Sequence, residues 1–538
     1  MREIILRRLL IGEEKMDMDE QPVDAIISKT LQKVVKGTGI VFVSSITSIL
    51  LAFVTRIIIA RNYTQEEYGI FSLGFTITSI FVIIGTLGLR EGATRQIAYY
   101  RGKKDGEKIN GIIFYSWLFS SISGIILFLL IFSFAESISK DFFHLPALSF
   151  PLKIFSFAIP FLVLLYIFTA IFRGFSSVKE KAIFMDLLKN LLFLLFVLYT
   201  VWYARSFKWV IWSFSVSAIL TLIFLLLYVA VRKPFLLKIS IKKLDFTGKE
   251  LLLFSIPLLF VSTLYLVMNW TDTLMLGYFK TAEVVGIYNA ALPLGRFISS
   301  ALISMLFIYT PIVSELYAKK RTYEMRRSYI ILTKWLCAVT FPLAMIFVLF
   351  PSTVLGFLFG HKYVLAQNAL QILTLGFFIN NLMGPNGATL TAMGETKFLM
   401  YATFAAACIN VILNALLIPK YGINGAALAT VSALILINII RSIKLYSISK
   451  IHSIEKNILK PILIGIFLLF VVHTLAKRFF TVTFWMLPII FSIFLVLYCI
   501  LLLFTKSFDK EDVELLLVIE KKSKINLTML KRMIKKFS

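Results

Sequence analysis

Two arginines stand inside long apolar runs. Arg56 follows Ser45, Ser48 and Ala52 at helical spacing, so these residues share one face of a helix. Arg296 sits on a second such stripe with Asn289, Pro293, Ser300 and Ser304. A guanidinium is a permanently charged planar fork that matches two phosphate oxygens, so each arginine suits a phosphate-bearing anion. The competing use is a fixed ion pair with an acid such as Asp272, which aligns with Tyr265 and Asn269 on a third face. Asp272 could instead bind a coupling cation, Na+ or H+. Asn380 with Gly384, and Asn410 with Asn414, add amides suited to sugar hydroxyls or to helix packing.

Arg90, Glu91, Arg95, Arg173 and Glu315 fall at helix ends. There they would draw in an anionic head group at a cytoplasmic gate, or simply snorkel and pair between loops. Other chemistries find no pattern. The four histidines are scattered, the three cysteines fall within apolar runs, and no motif for a metal, nucleotide or nucleophile occurs. We therefore expect no catalytic residue, no metal and no cofactor beyond a coupling ion.

The elements that must position these groups are membrane spans. About fourteen apolar stretches between Thr38 and Phe504 are long enough to cross a hydrocarbon core about 30 Å thick, which needs roughly 20 residues per helix. Hydrophobic residues make up 59% of the 538, and mean hydropathy is +0.87, so no single water-soluble surface accommodates the chain. The net charge of +27 lies in short loops, where the positive-inside rule and anionic lipid account for it better than nucleic acid. Loops rich in Lys and Arg near Arg90–Lys108, Arg173–Lys181, Arg232–Lys249 and Lys319–Arg327 alternate with poorer ones carrying Lys140, Lys280, Lys420, or Lys477 with Arg478. The basic set lies inside, which makes both termini cytoplasmic.

An internal repeat of about 220 residues fits the same topology. Arg61-Asn62-Tyr63-Thr64 leading to Tyr68-Gly69-Ile70-Phe71 parallels Gly277-Tyr278-Phe279-Lys280-Thr281 leading to Val285-Gly286-Ile287-Tyr288. Arg173-Gly174 before Asn190 parallels Met393-Gly394 before Asn410. The expected organisation is an N-terminal extension (1–37), a six-helix lobe (38–231), a cytoplasmic linker (232–248) and a second, parallel six-helix lobe (249–447). Two further helices (448–504) and a basic tail (505–538) follow. The tail suits the anionic inner leaflet or plain solvation. Prolines 160, 257, 293, 311, 342 and 385 in or near spans predict kinks, and Met383-Gly-Pro-Asn-Gly387 predicts a true helix break.

The strings Asp272-Thr-Leu-Met-Leu-Gly-Tyr-Phe, Val285-Gly-Ile-Tyr-Asn-Ala-Ala, Pro311-Ile-Val-Ser-Glu-Leu, and Asn410 through Thr430 resemble the polysaccharide-transporter flippases of the multidrug/oligosaccharidyl-lipid/polysaccharide exporter superfamily. The resemblance runs from about Thr38 to Tyr446. It implies an all-α polytopic fold with two lobes in a V, a cavity opening alternately to either side, and polyprenyl-linked sugars as substrates. The expected function is translocation of a polyprenyl-(di)phosphate-linked oligosaccharide to the external leaflet of a plasma or inner membrane. The partners would be that substrate and membrane lipids, with one chain sufficient. A cation-coupled multidrug exporter of the same superfamily is the nearer alternative, and a membrane polysaccharide polymerase or glycosyltransferase the more distant one.

Overall fold

Hydrocarbon offers no hydrogen bond to a peptide group, so an apolar chain of this kind must satisfy its backbone internally, as helices do. The computed structural model describes residues 23–236, 248–452 and 486–504, with isolated positions between 460 and 474. The N-terminal extension before Val23, linker residues Lys238, Lys242 and Lys243, the pair Lys477 and Arg478, and the tail after Phe504 lie outside the described residues. All regular elements among the described residues are helical. Among the described residues, seven helices are long and apolar enough to cross a membrane, or up to nine when two bent pairs, Pro146–Ser156 with Ala158–Gly174 and Gly248–Leu264 with Leu266–Phe279, each count once. The protein is a multi-pass membrane protein.

The contacts divide the chain into two units, Met1–Gly286 and Ile287–Ser538. The first contains α1 (Val23–Asn62), α2 (Gln65–Gly85), α3 (Leu89–Gly102), α4 (Gly106–Ser137), α5 (Ser149–Ser156), α6 (Ala158–Gly174), α7 (Lys189–Tyr199), α8 (Phe207–Arg232), α9 (Gly248–Phe279) and the start of α10 (Ala282–Ala318). Thr64 begins α2 with a reciprocal cap: its hydroxyl accepts from the Glu67 amide at 3.1 Å, and its own amide donates to the Glu67 carboxylate at 2.8 Å. Pro160 explains the 44° bend between α5 and α6, because its ring cannot donate to the Ser156 carbonyl and crowds it. Phe71, Phe155, Phe193 and Phe214 form an aromatic core across α2, α5, α7 and α8, with centroids 5.1 to 6.1 Å apart.

Glycine sets how closely the helices of this unit approach. Gly69 and Gly286, the repeat-related positions, face each other: a Cβ on Gly69 would lie 1.7 Å from the Ala282 carbonyl oxygen, and one on Gly286 2.1 Å from that of Gln65. Gly88, with φ +71, turns α2 into α3 and brings that turn against Ser255 of α9. The span α9 therefore packs against α2 and α3.

The second unit contains the rest of α10, then α11 (Thr322–Leu349), α12 (Pro351–Leu358), α13 (Gln367–Leu382), α14 (Asn386–Ala392), α15 (Thr396–Ser449) and α16 (Leu487–Phe504). The break expected at Met383–Gly387 is present: α13 ends at Leu382, Gly384 has φ +70, and α14 restarts at Asn386. The Tyr329 hydroxyl donates to the Met383 carbonyl at 2.5 Å, satisfying one group the break leaves without a helical partner. The 54 residues of α15 would be about 80 Å long if straight, far beyond one bilayer crossing. Gly422, with φ 54 and ψ −128, folds α15 into two arms.

Two outcomes follow from this packing. Gly69→Ala places a methyl group against a main-chain oxygen that cannot move alone, so it should destabilise the purified protein by about 1–3 kcal/mol, read as a fall in Tm. Glu180, buried between α6 and α7, opposes the effect of its own desolvation by accepting from Ser177 at 2.5 Å and from Lys233 at 3.1 Å, and its pKa is held below the ordinary carboxyl value. Its ionised form therefore stabilises the fold above about pH 4.3, and that contribution is lost as pH falls through the lowered folded value. Glu180→Gln should flatten this acid limb of the Tm profile.

Candidate functional site

In the first unit Arg56 is half-buried. Its guanidinium lies over the Phe75 ring, 5.5 Å from the centroid, and hydrogen-bonds the Tyr68 hydroxyl. Phe75 in turn meets Trp270 of α9 edge to face at 5.9 Å, which ties α1 and α2 to the polar stretch of α9. Two residues of that stretch differ in environment: Asn269 is exposed, whereas Asp272 is 1% exposed.

Three of the helix-end residues come together. Arg173 of α6 contacts the Glu91 carboxylate of α3, and Arg90 stands 3.8 Å from the same carboxylate while lying over Tyr166 at 5.1 Å. Arg95 lies over Phe254 of α9 at 4.6 Å. Gly92 and Gly174 let these helices close, since a Cβ on the first would strike Ser255 and on the second Ile97. The charges are roughly 40% exposed, so the cluster fixes geometry more than it adds stability. Glu315 pairs with Lys319 one turn along its own helix at 2.5 Å.

In the second unit Arg296 is half-buried on α10 and Asn289 is 1% exposed. Asn380 belongs to a directional chain of amides. Asn386 Nδ2 donates to Asn438 Oδ1 at 3.0 Å, Asn438 to Asn380 at 2.8 Å, Asn380 to Asn381 at 3.5 Å, and Asn381 to the Ile298 carbonyl of α10 at 3.0 Å. This chain joins α14, α15, α13 and α10 and ends two residues beyond Arg296. Asn410 is 1% exposed, and its Oδ1 has no hydrogen-bond partner among the described residues. Asn414 Nδ2 donates to the Asn410 carbonyl at 2.9 Å.

Two groups escaped the sequence reading. Asp186, 8% exposed in the π-helical segment Lys181–Leu188, accepts from Ser44 at 2.8 Å and from Lys181 at 3.0 Å. Beside it, Asn190 bonds Ser48 at 2.8 Å, so a polar seam joins α1 to α7. An acid between Met185 and Leu187 was the available signal, obscured by the nearby lysines of an expected loop. Arg441 of α15, half-buried and bonded to Thr403 at 3.0 Å, was likewise masked by the basic helix end that follows it.

Asn438→Leu should leave Asn380 Oδ1 and Asn386 Nδ2 without these bonds in a low-dielectric interior. The expected loss is at least about 2 kcal/mol, measured as reduced resistance to thermal or detergent unfolding.

Comparison with known proteins gives this geometry a family. The polysaccharide biosynthesis protein family matches residues 34–317, and the MatE family matches 257–416. An uncharacterized membrane protein of Methanocaldococcus jannaschii is 26% identical over 465 residues, 81% of this chain and 88% of its own. The "Probable low-salt glycan biosynthesis flippase Agl15" of Haloferax volcanii is 28% identical over 167 residues, 30% of this chain and 34% of its own. Among solved structures, the lipid II flippase MurJ in an inward closed conformation superposes with a TM-score of 0.66 at 18% identity, covering 86% of this chain and 98% of MurJ. An inward-facing multidrug resistance MATE family transporter of the MOP superfamily gives 0.64 at 14% identity, with coverages of 75% and 96%. These likenesses give the chain a MATE-like fold. The first family match spans more than half of the sequence, and the chain belongs to the polysaccharide biosynthesis protein family.

Proposed function

We propose that the protein flips a polyprenyl-(di)phosphate-linked oligosaccharide from the cytoplasmic to the external leaflet by alternating access. The observation that carries this reading is Arg56. Its charge rests on an aromatic ring and a phenol, neither of which neutralises it, within the stretch Ile49–Ala60, apolar apart from Thr55. Such a guanidinium offers a lipid-linked phosphate what hydrocarbon withholds, since crossing unaided would desolvate about two negative charges and many hydroxyls. Arg296 on the repeat-related half is its counterpart. Asn269, Asn289 and Asn410 would bond the sugar, while Asn380 and Asn414 act chiefly through the helix contacts described above. The Arg90, Glu91 and Arg173 cluster, with Arg95 and Glu315, would serve the cytoplasmic gate.

The architecture that goes with this reading has fourteen spans, two parallel six-helix lobes in a V and two added C-terminal helices. Both termini are cytoplasmic, and one chain in the cell membrane is the working unit. Asp272, buried in α9, is the candidate for a coupling Na+ or H+. The MatE match over residues 257–416 favours a second reading, cation-coupled export of amphipathic drugs.

The test is leaflet accessibility of a polyprenyl-diphosphate oligosaccharide in liposomes holding the purified protein. Protein-dependent movement is expected, slowed about tenfold or more by Arg56→Ala or Arg296→Ala at unchanged Tm. No movement, together with cation-driven drug efflux from the same vesicles, would transfer the assignment to the exporter reading.

A further inference from the structure

In the first unit α4 starts beside the basic loop and carries no charge over residues 109–135, about 40 Å of helix and already longer than a hydrocarbon core. Glu136, Lys140 and Asp141 follow, all exposed, and the π-helical segment Ile138–Phe142 carries the helix past them. Phe143 is then buried, and His144, with φ 55, turns the chain away. Phe142 is left 56% exposed. Its ring meets Phe143 edge to face at 4.9 Å and Tyr278 of α9 at 5.2 Å. Tyr278, 44% exposed, meets Phe279, 37% exposed, at 4.9 Å, and the His144 ring stands 6.3 Å from Tyr278.

Neither an interfacial belt nor the scaffold accounts for these rings. Lys108 and Phe142 bracket about 50 Å of helix, more than the roughly 40–45 Å of a bilayer with its head groups, so Phe142 lies beyond the level at which aromatic belts sit. The repeat that aligns Gly69 with Gly286 also aligns Tyr278 and Phe279 with Arg61 and Asn62, which are exposed and polar. Aromatic side chains are therefore not required there by the fold. Their exposed surface is roughly 300 Å², well short of the about 800 Å² per partner of a stable protein interface. The surrounding charges balance, since Glu136 accepts from Lys153 at 2.8 Å and stands 4.0 Å from Lys140, and Asp141 offsets the second lysine. The surface suits a small uncharged ligand with one apolar face and a polar edge. A pyranose has both: its axial C–H groups stack on a ring face, and its hydroxyls suit the carboxylate of Asp141, the ammonium of Lys140 and the imidazole of His144.

We propose that Phe142 and Tyr278 form a stacking platform for a neutral sugar ring, at the end of α4 remote from the basic loop. That this sugar is the head group of a translocated lipid rests on the flippase reading; the platform does not.

The experiment records saturation-transfer NMR of the full-length chain in nanodiscs with neutral trisaccharides of glucose, galactose, mannose and N-acetylglucosamine. At least one should bind. Phe142→Ala or Tyr278→Ala should weaken it about tenfold, whereas Tyr278→Phe keeps the ring and should bind as the wild type does. Phe142→Trp gives an independent reading, because the added indole should emit as one in water and respond to the bound sugar. No binding of any of the four, unchanged affinity in both alanine variants, or quenching of the added indole by brominated lipid overturns the platform. Self-association abolished by Phe142→Ala would make this face an interface between copies of the chain and overturn it too. Liposome flipping by the same proteins separates the two proposals. Flipping with Phe142-independent sugar binding removes only the platform, and Phe142-dependent sugar binding without flipping removes only the flippase reading.

Discussion

The bilayer interior supplies no donor, acceptor or counter-ion, so every polar group that enters it must bring its own partner. This constraint shapes the protein more than any single contact. It makes the described elements helical, and it explains why helix interruptions come with compensating groups. Where Gly384 and Pro385 open the backbone between α13 and α14, Tyr329 closes one exposed carbonyl and Asn386 begins an amide chain. At the π-helical segment Lys181–Leu188, Asp186 finds both a serine and a lysine.

The same constraint sorts the charged groups by purpose. Arg173 and Arg90 spend their charge on Glu91, close to solvent and at modest gain. Arg56 is held by an aromatic ring and a phenol, partners that orient a cation and leave its field intact. Under the proposed flippase reading, the second kind would serve the passage and the first kind its rim. The division is visible in the contacts of this one chain.

Much of the scaffold was legible in the sequence because it depends on short-range rules. Apolar length marked the spans, Gly-Pro marked the break after Leu382, and the matched glycines 69 and 286 marked a repeat. That those two glycines touch was not legible, since it is a contact between segments far apart in the chain. The site was legible as residue types and not as partnerships. Asn380 reads equally well as a sugar ligand or a packing amide until Asn438 is found bonded to it. Asp186 and Arg441 were hidden because each lies within a few residues of lysines that look like ordinary loop charge. The seam from Ser44 to Asp186 bridges positions that no local pattern connects.

The amide chain from Asn386 to Ile298 also has a sense of direction. A carboxamide in isolation can present either end, but the Ile298 carbonyl can only accept, so Asn381 must turn its nitrogen to α10. Its oxygen then faces Asn380, whose own oxygen must receive Asn438, and the choice passes outward to Asn386. One main-chain oxygen beside Arg296 thus selects the orientation of four side chains on three other helices. Reversing any one of them would set like dipoles head to head, and a shift of α14 against α15, α15 against α13, or α13 against α10 there must break the amide bond that joins the two.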